Sequence, residues 1–415
     1  MISRRKILSG VAAVTSFGLL AGSSAAVSAQ TGPAEIKVGL IVPLSGPWAR
    51  QGELMKKGAE LAILDINKGG GVKALGGAKL KLVIYDAGDT VEKAKNTAQR
   101  MVAEEPTLVG ISGAWLSSFT LAVSEVTERA ELPMLTVSYS DQITSRGFKY
   151  IFQMSATAAK MADNAIPAAM RLAEKATGKR PTTTGIITDN TASQVGFAKP
   201  LREGLLKKLG INLLFDETFT PPLADATALI QQARSKRPNF LIMLSSAVPD
   251  DKLLLEKINE FHLGSGRMPI IGSGAHLGTP ELLKNVGAEA LEGVMFVAGN
   301  WGAKGQEDII ERFRKYANEP WVTQDSISTY GDFWTLKQAL EDAGKADRHA
   351  VAQVLRKMDT TEGAAKYYPG GRIRFDEAGR RIDAEVVVVQ WQKGIPVEVY
   401  PEMSAMAEPF WPKRE

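Results

Sequence analysis

Downstream of Glu35 the chain alternates two patterns of apolar positions. Short apolar runs such as 36–42 (IKVGLIV) and 79–86 (KLKLVIYD) predict buried strands, the first ended by Pro43. Between them, 52–67 carries Leu54, Met55, Leu61, Leu64 and Ile66 with Lys56, Lys57 and Glu60 interspersed, which predicts a helix with one buried face. Gly69, Gly70 and Gly71 stop it. The alternation predicts a helix over 91–103, a strand over 107–111, a helix over 118–130 and a strand over 132–137. A second series starts near Ala156. Its strands are expected at 184–188, 213–218, 240–244, 269–271 and 294–297, and its helices include 197–209, 226–235 and 249–261. A further helix is expected over 326–343. In the tail, 373–375, a turn at Gly379, 384–391 and 397–399 predict antiparallel strands.

Strands separated by helices of this length build βαβ units, hence a parallel sheet with helices on both faces. Two such series in 415 residues predict two α/β lobes, because one core seldom grows that large. Ligands of open parallel sheets sit beyond the carboxyl ends of the strands, at switch points of strand order. The loops of both lobes are therefore expected to face one cleft.

The first thirty residues follow another logic. Arg4, Arg5 and Lys6 precede an uncharged stretch over 7–26, and Val27, Ser28 and Ala29 supply the small residues of a cleavage site. This predicts a signal peptide over 1–29 and export to the periplasm, with the paired arginines pointing to the twin-arginine route. Glycines and serines make the run too weakly apolar for a stable membrane span. The formal net charge of the whole chain is +4, and loss of those three cations leaves +1, so no nucleic-acid partner is expected. Apolar residues at 44% and charged residues at 23% fit an ordinary globular protein. The chain has no cysteine, which excludes disulfides, thiol catalysis and zinc–thiolate sites.

Catalytic signatures are missing. His262, His276 and His349 stand in unrelated contexts, and neither a zinc-hydrolase H-E-x-x-H, a G-x-S-x-G elbow nor an ATP-binding P-loop occurs. No catalytic residue, metal or cofactor is expected. The informative stretch is 110–120, where a strand ends, a loop bends and a helix starts with Ser117 or Ser118 at its N-cap. Hydroxyls and free amides at the positive end of a helix dipole suit a carboxylate or another electron-rich head group, although they also serve for ordinary capping. Ser138, Tyr139 and Ser140 follow the next parallel strand, so two serine-bearing loops meet at one sheet edge.

With these pieces in order the sequence resembles the type I periplasmic binding proteins of the leucine/isoleucine/valine-binding kind, the receptor subunits of ABC importers. The resemblance runs from about Ile36 to Pro401. It rests on 39–46 (GLIVPLSG), Gly58 to Ala62 leading into 65–67, the three glycines at 69–71, Val109-Gly110 with Ser117-Ser118, and 132–136 (LPMLT). Later come 291–294 (LEGV) and the 375–379 tail. It implies two Rossmann-like lobes with a central cleft and three hinge crossovers. One lobe is 36–156 with 298–365, the other 157–297 with 366–415.

The resemblance also implies a site. Ser117 matches a head-group serine, Ser138 a residue that offers a backbone carbonyl to the ligand, and Ser140 a second hydroxyl position. The family's acid on the second lobe has no counterpart in the matching loop, 270–276, where His276 stands as a ligand group or a loop cap. Tyrosines of the amino-acid binders are matched by Val195 and Val248. Trp48, Trp115 and Tyr330 are candidates for a flat wall, or simply for packing. The function implied is that of an importer's receptor closing on a branched-chain or other apolar amino acid, or a related carboxylate or amide. Its partners are ABC permease subunits, and a monomer is expected. A periplasmic ligand sensor is the alternative, and a hydrolase on the same fold has no motif to support it.

Overall fold

The structure is a computed structural model that describes residues 34–411; the expected signal peptide lies outside the described residues. Two sheets organise the chain. The first contains β1 (Glu35–Val42), β2 (Lys79–Asp86), β3 (Ile111–Gly113), β4 (Met134–Thr136) and β5 (Ile151–Gln153), in the order β2-β1-β3-β4-β5. All its pairings are parallel. Successive side chains of a strand point to opposite faces. Thus Val38, Leu40 and Val42 enter one hydrophobic cluster, while Ile41 enters another with Ile111, Met134 and Ile151.

The second sheet begins with β6 (Thr183–Asp189), β7 (Asn212–Phe219), β8 (Phe240–Leu244), β9 (Ile270–Ser273) and β10 (Met295–Ala298). Their order, β7-β6-β8-β9-β10, repeats that of the first sheet, again all parallel. β11 (Asp359–Thr360) and β12 (Ile373–Arg374) form a separate antiparallel ribbon. β13 (Val387–Gln392) and β14 (Ile395–Tyr400) extend the second sheet beside β10 in antiparallel fashion. Apolar residues cover both faces: Ile186, Phe240 and Ile242 on one, Ile187, Leu241 and Met243 on the other.

The chain passes between the sheets three times: after β5, after β10 and before β13. In the middle passage it rejoins the first sheet's core. The helix Gln324–Ala343 packs there through Ile327, Tyr330, Phe333 and Leu336, and Tyr367, Tyr368, Ile373 and Phe375 join the same cluster. The first and last passages are tied together by Arg381, whose buried guanidinium donates to the carbonyls of Met154, Arg372 and Pro369 at 2.8, 2.9 and 3.0 Å and lies over the Tyr368 ring.

Strand β5 has no counterpart among the expected elements, and three expected elements are displaced. The strand foreseen at 107–111 is Ile111–Gly113, although Val109 and Gly110 already bond to β1. The helix foreseen at 197–209 begins at Ala192 and loosens into a wide turn, Leu201–Leu205, after Pro200, which has no N–H to donate. Residues 373–374 pair with β11 rather than with the tail strands.

Candidate functional site

The repeated strand order places a switch point between β1 and β3 and another between β6 and β8. Loops after β3, β4, β6, β8 and β9, with the start of the helix Gln324–Ala343, line one shared cavity.

The wall on the first-sheet side is built by a backbone reversal. Gly113 has φ 136°, and a Cβ there would lie 2.0 Å from the Ile41 carbonyl oxygen, so only glycine fits. Ala114 and Trp115 follow in the left-handed region at φ 64° and 52°, an uncommon conformation for such residues. The reversal aims the Trp115 indole at Asp325, donating to Oδ1 at 2.9 Å. The Trp115 carbonyl accepts from Ser138 Oγ at 2.6 Å.

Ser117 is the first residue of the helix Ser117–Arg129, and Leu116, not a serine, holds the N-cap, because the Ser117 hydroxyl is turned to the neighbouring loop. Ser117 Oγ accepts from the amides of Tyr139 and Ser140 at 3.2 and 3.1 Å, stapling the two loops together. Its own hydroxyl proton has no acceptor among the described hydrogen bonds. The first bond of the helix runs from Thr120 N to Leu116 O, so the amides of Ser117 and Ser118 precede it. The cavity therefore meets a hydroxyl and the positive end of a helix.

Asp325 is the second residue of the helix Gln324–Ala343, just inside a capping box of Thr323 and Ser326. It is fully buried, and its Oδ2 has no hydrogen-bond partner. Burial pushes its carboxyl up to about 7, against the Trp115 donor and the more distant Arg50 charge. Arg50 itself is engaged by Glu319 and Glu281. Neighbouring Gln324 spends its Oε1 on the Gly299 amide, at 2.6 Å, and on the Tyr139 hydroxyl.

The wall on the second-sheet side rests on a buried polar layer. Gln194 donates through Nε2 to the carbonyls of Ser245 and Ser273, leaving Oε1 unpartnered. Ser246 Oγ lies 2.7 Å from Thr191 Oγ1, which donates to Asp189 Oδ1 at 2.6 Å. Burial raises Asp189 to about 6. Asp251 accepts from Ser245 Oγ, and its other oxygen lies 3.4 Å from His276 Nε2. Burial lowers the imidazole to about 3 and raises Asp251, so both favour their neutral forms. Gly274, at φ 118°, makes room for the ring: a Cβ there would lie 2.3 Å from His276 Cε1.

Of the residues expected at the site, Trp115, Ser117, Ser138, Tyr139 and His276 line the cavity. The Ser138 carbonyl, foreseen as facing the ligand, accepts from Gln153 Nε2 at 2.8 Å, and its hydroxyl is spent on Trp115. Five others are not among the lining residues. Ser140 turns its hydroxyl to the Gln142 amide as the cap of a 3-10 turn. Trp48 packs edge-on against Phe119 at 5.5 Å. Val195 lies on the outer side of its helix, 42% exposed, and Val248 is packed in the core beside β8. Tyr330 sits in the first core and donates to Asp65 at 2.9 Å.

Sequence reasoning missed Ser193, Gln194, Ser246, Gln324 and Asp325, all of which line the cavity. Ser193 and Gln194 were overlooked because the helix starts five residues early. Asp325 carries a legible signal, the run Thr323-Gln-Asp-Ser326, which is a helix start with an acid in its first turn.

The profile of the family described as periplasmic binding protein matches residues 35–395. The Leu/Ile/Val-binding protein homolog 7 of Brucella melitensis is 28% identical over 403 residues, covering 94% of this chain and 98% of that protein. A leucine-binding protein from Thermotoga maritima superposes with a TM-score of 0.73 at 22% identity, covering 88% of this chain and 97% of the other. A solute-binding protein of an ABC transporter from R. palustris, solved with benzoate, gives a TM-score of 0.73 at 16% identity, over 92% of this chain and all of the other.

Proposed function

Because the chain belongs to the periplasmic binding protein family, matched from 35 to 395, we propose that it is the extracytoplasmic substrate receptor of an ABC importer. Its ligand is a small apolar amino acid or a related carboxylate or amide. The observation that carries this reading is the cavity: strand ends of both sheets meet around it, with the Ser117 hydroxyl and helix amides unspent as donors and Gln194 Oε1 and Asp325 Oδ2 unspent as acceptors. One lobe is 36–156 with 298–365, its packing running on through Phe375. The other is 157–297 with the tail, and the lobes close on ligand about the crossovers. Among the described residues no helix is long and apolar enough to cross a membrane. Export by the signal peptide 1–29, a monomeric state, docking on permease subunits and lack of catalysis complete the proposal.

The test is the melting temperature of the purified protein across amino acids, aromatic acids, amides and sugars. A micromolar ligand, about −8 kcal/mol, raises it measurably at millimolar concentration. Turnover of a compound, with no shift from any of them, would overturn the assignment.

A further inference from the structure

We infer that a second cleft, on the flank of the crossovers, binds a small guanidinium compound through Glu398. The cleft holds about 440 Å³, within the size range of small-molecule sites, and shares no lining residue with the cavity between the sheets. One wall comes from the stretch after β10, with Asn300 and Lys304, and another from the tail, with Glu385, Glu398 and Ser404. The Lys304 amide donates to the Ser404 carbonyl at 3.0 Å and joins the two. Glu398 interrupts an apolar strand. Its neighbours Val397 and Val399 on β14 pack into the second sheet's core, so alternation turns the acid to the opposite face, where the cleft lies. It is fully buried, and neither carboxyl oxygen has a hydrogen-bond partner. The neighbouring Ser404 hydroxyl is turned to the Pro401 carbonyl at 3.4 Å. A buried carboxyl left in this state is costly, and an occupant that satisfies it recovers the cost.

Both oxygens are open, and that selects the occupant. A guanidinium presents two parallel N–H donors matched to a carboxylate, and it is weakly enough hydrated to enter a buried site. A primary ammonium is a compact point charge that holds its water more tightly. The lysines at the cleft, Lys304 and Lys366, are of that kind, and both are exposed. A divalent cation takes six or more oxygens, and the described residues gather no group of three acids or histidines that could hold one. A neutral urea gains nothing from Glu385, the second carboxyl of the cleft. Burial, with Glu385 nearby, pushes the Glu398 carboxyl up to about 8, against Ser404. A bound cation draws it to ionise, so binding releases a proton, and affinity falls roughly tenfold for each pH unit below about 8.

The experiment is titration calorimetry of the purified protein at about pH 8.5 with methylguanidine, beside methylammonium, urea and calcium chloride. It is repeated at about pH 6.5 and with Glu398→Gln and Glu385→Gln. The expected result is millimolar or tighter binding of methylguanidine, at least tenfold tighter than any of the others. Its affinity falls at least tenfold at the lower pH and in Glu398→Gln, and at least threefold in Glu385→Gln. The inference is overturned if methylguanidine does not bind, or if Glu398→Gln keeps its affinity within threefold. Equal or tighter binding of methylammonium, urea or calcium overturns it as well. Should Glu398→Gln not fold, Glu385→Gln decides, because that side chain is exposed; unchanged affinity there overturns the inference. The receptor reading stands under every one of these results.

Discussion

The two walls of the cavity are built differently. On the first-sheet side the lining groups hold one another directly: Ser117 staples the Tyr139 and Ser140 amides, Ser138 holds the Trp115 carbonyl, and Trp115 holds Asp325. Their geometry is set within the lining by a strained reversal at Gly113 to Trp115. On the second-sheet side, Gln194, Ser246 and His276 are positioned from below, by main-chain carbonyls and by Asp189 and Asp251. The lesson is that one wall is preorganised by mutual bonds and the other by a buried support. Disturbing a single lining residue should therefore hurt the first wall more than the second.

The largest expected effect is on stability against pH, and it separates the walls by where it falls. Asp325 is held up to about 7 and Asp189 to about 6, whereas the unfolded chain releases such protons near 3.8. A raised acid contributes stability that is present below the unfolded pKa and lost as pH rises through the folded value, by about 1.4 kcal/mol per pKa unit. Asp332, at about 7, and Glu398, at about 8, act in the same direction. The melting temperature of the ligand-free protein should fall between pH 5 and pH 8. Asp189→Asn should flatten the curve only up to about pH 6, and Asp325→Asn up to about pH 7. A melting temperature that climbs across this window would contradict the account.

Next in size is Gly113→Ala. A methyl group 2.0 Å from the Ile41 oxygen, on a backbone at φ 136°, should cost about 3 kcal/mol or more in denaturant unfolding. A loss under 1 kcal/mol would show that the reversal relaxes freely. Smaller again, Ser117→Ala removes the staple and the free hydroxyl together, and should weaken ligand binding by about 2 kcal/mol. Ser140→Ala is its control. It removes only a cap, costs about 1 kcal/mol of stability and leaves affinity within twofold. Equal losses of affinity in the two variants would dissolve the distinction between lining and support.

The fold was readable because both sheets are buried on both faces, so their strands stand out as apolar runs between amphipathic helices. Ser117 was readable because a strand, a short loop and a hydroxyl at a helix start are a local signature. Gln194 and Asp325 depend on helix phase, which changes by about 100° per residue, so a start misplaced by a few positions sends the wrong side chain inward. Val195, beside Gln194, shows this directly: it was expected at the site and lies in solvent. Tyr330 failed for another reason. A large aromatic on a helix surrounded by core is more often packing than wall, and its hydroxyl is spent on Asp65. Ser140 shows that a hydroxyl after a strand can be consumed by the turn it begins.

Arg381 is a tie between stretches of chain that cross from sheet to sheet. Its buried guanidinium holds the carbonyls of Met154, Pro369 and Arg372, so those stretches cannot part without stranding a cation away from water. Any bending at the crossovers would have to carry these contacts along as one unit.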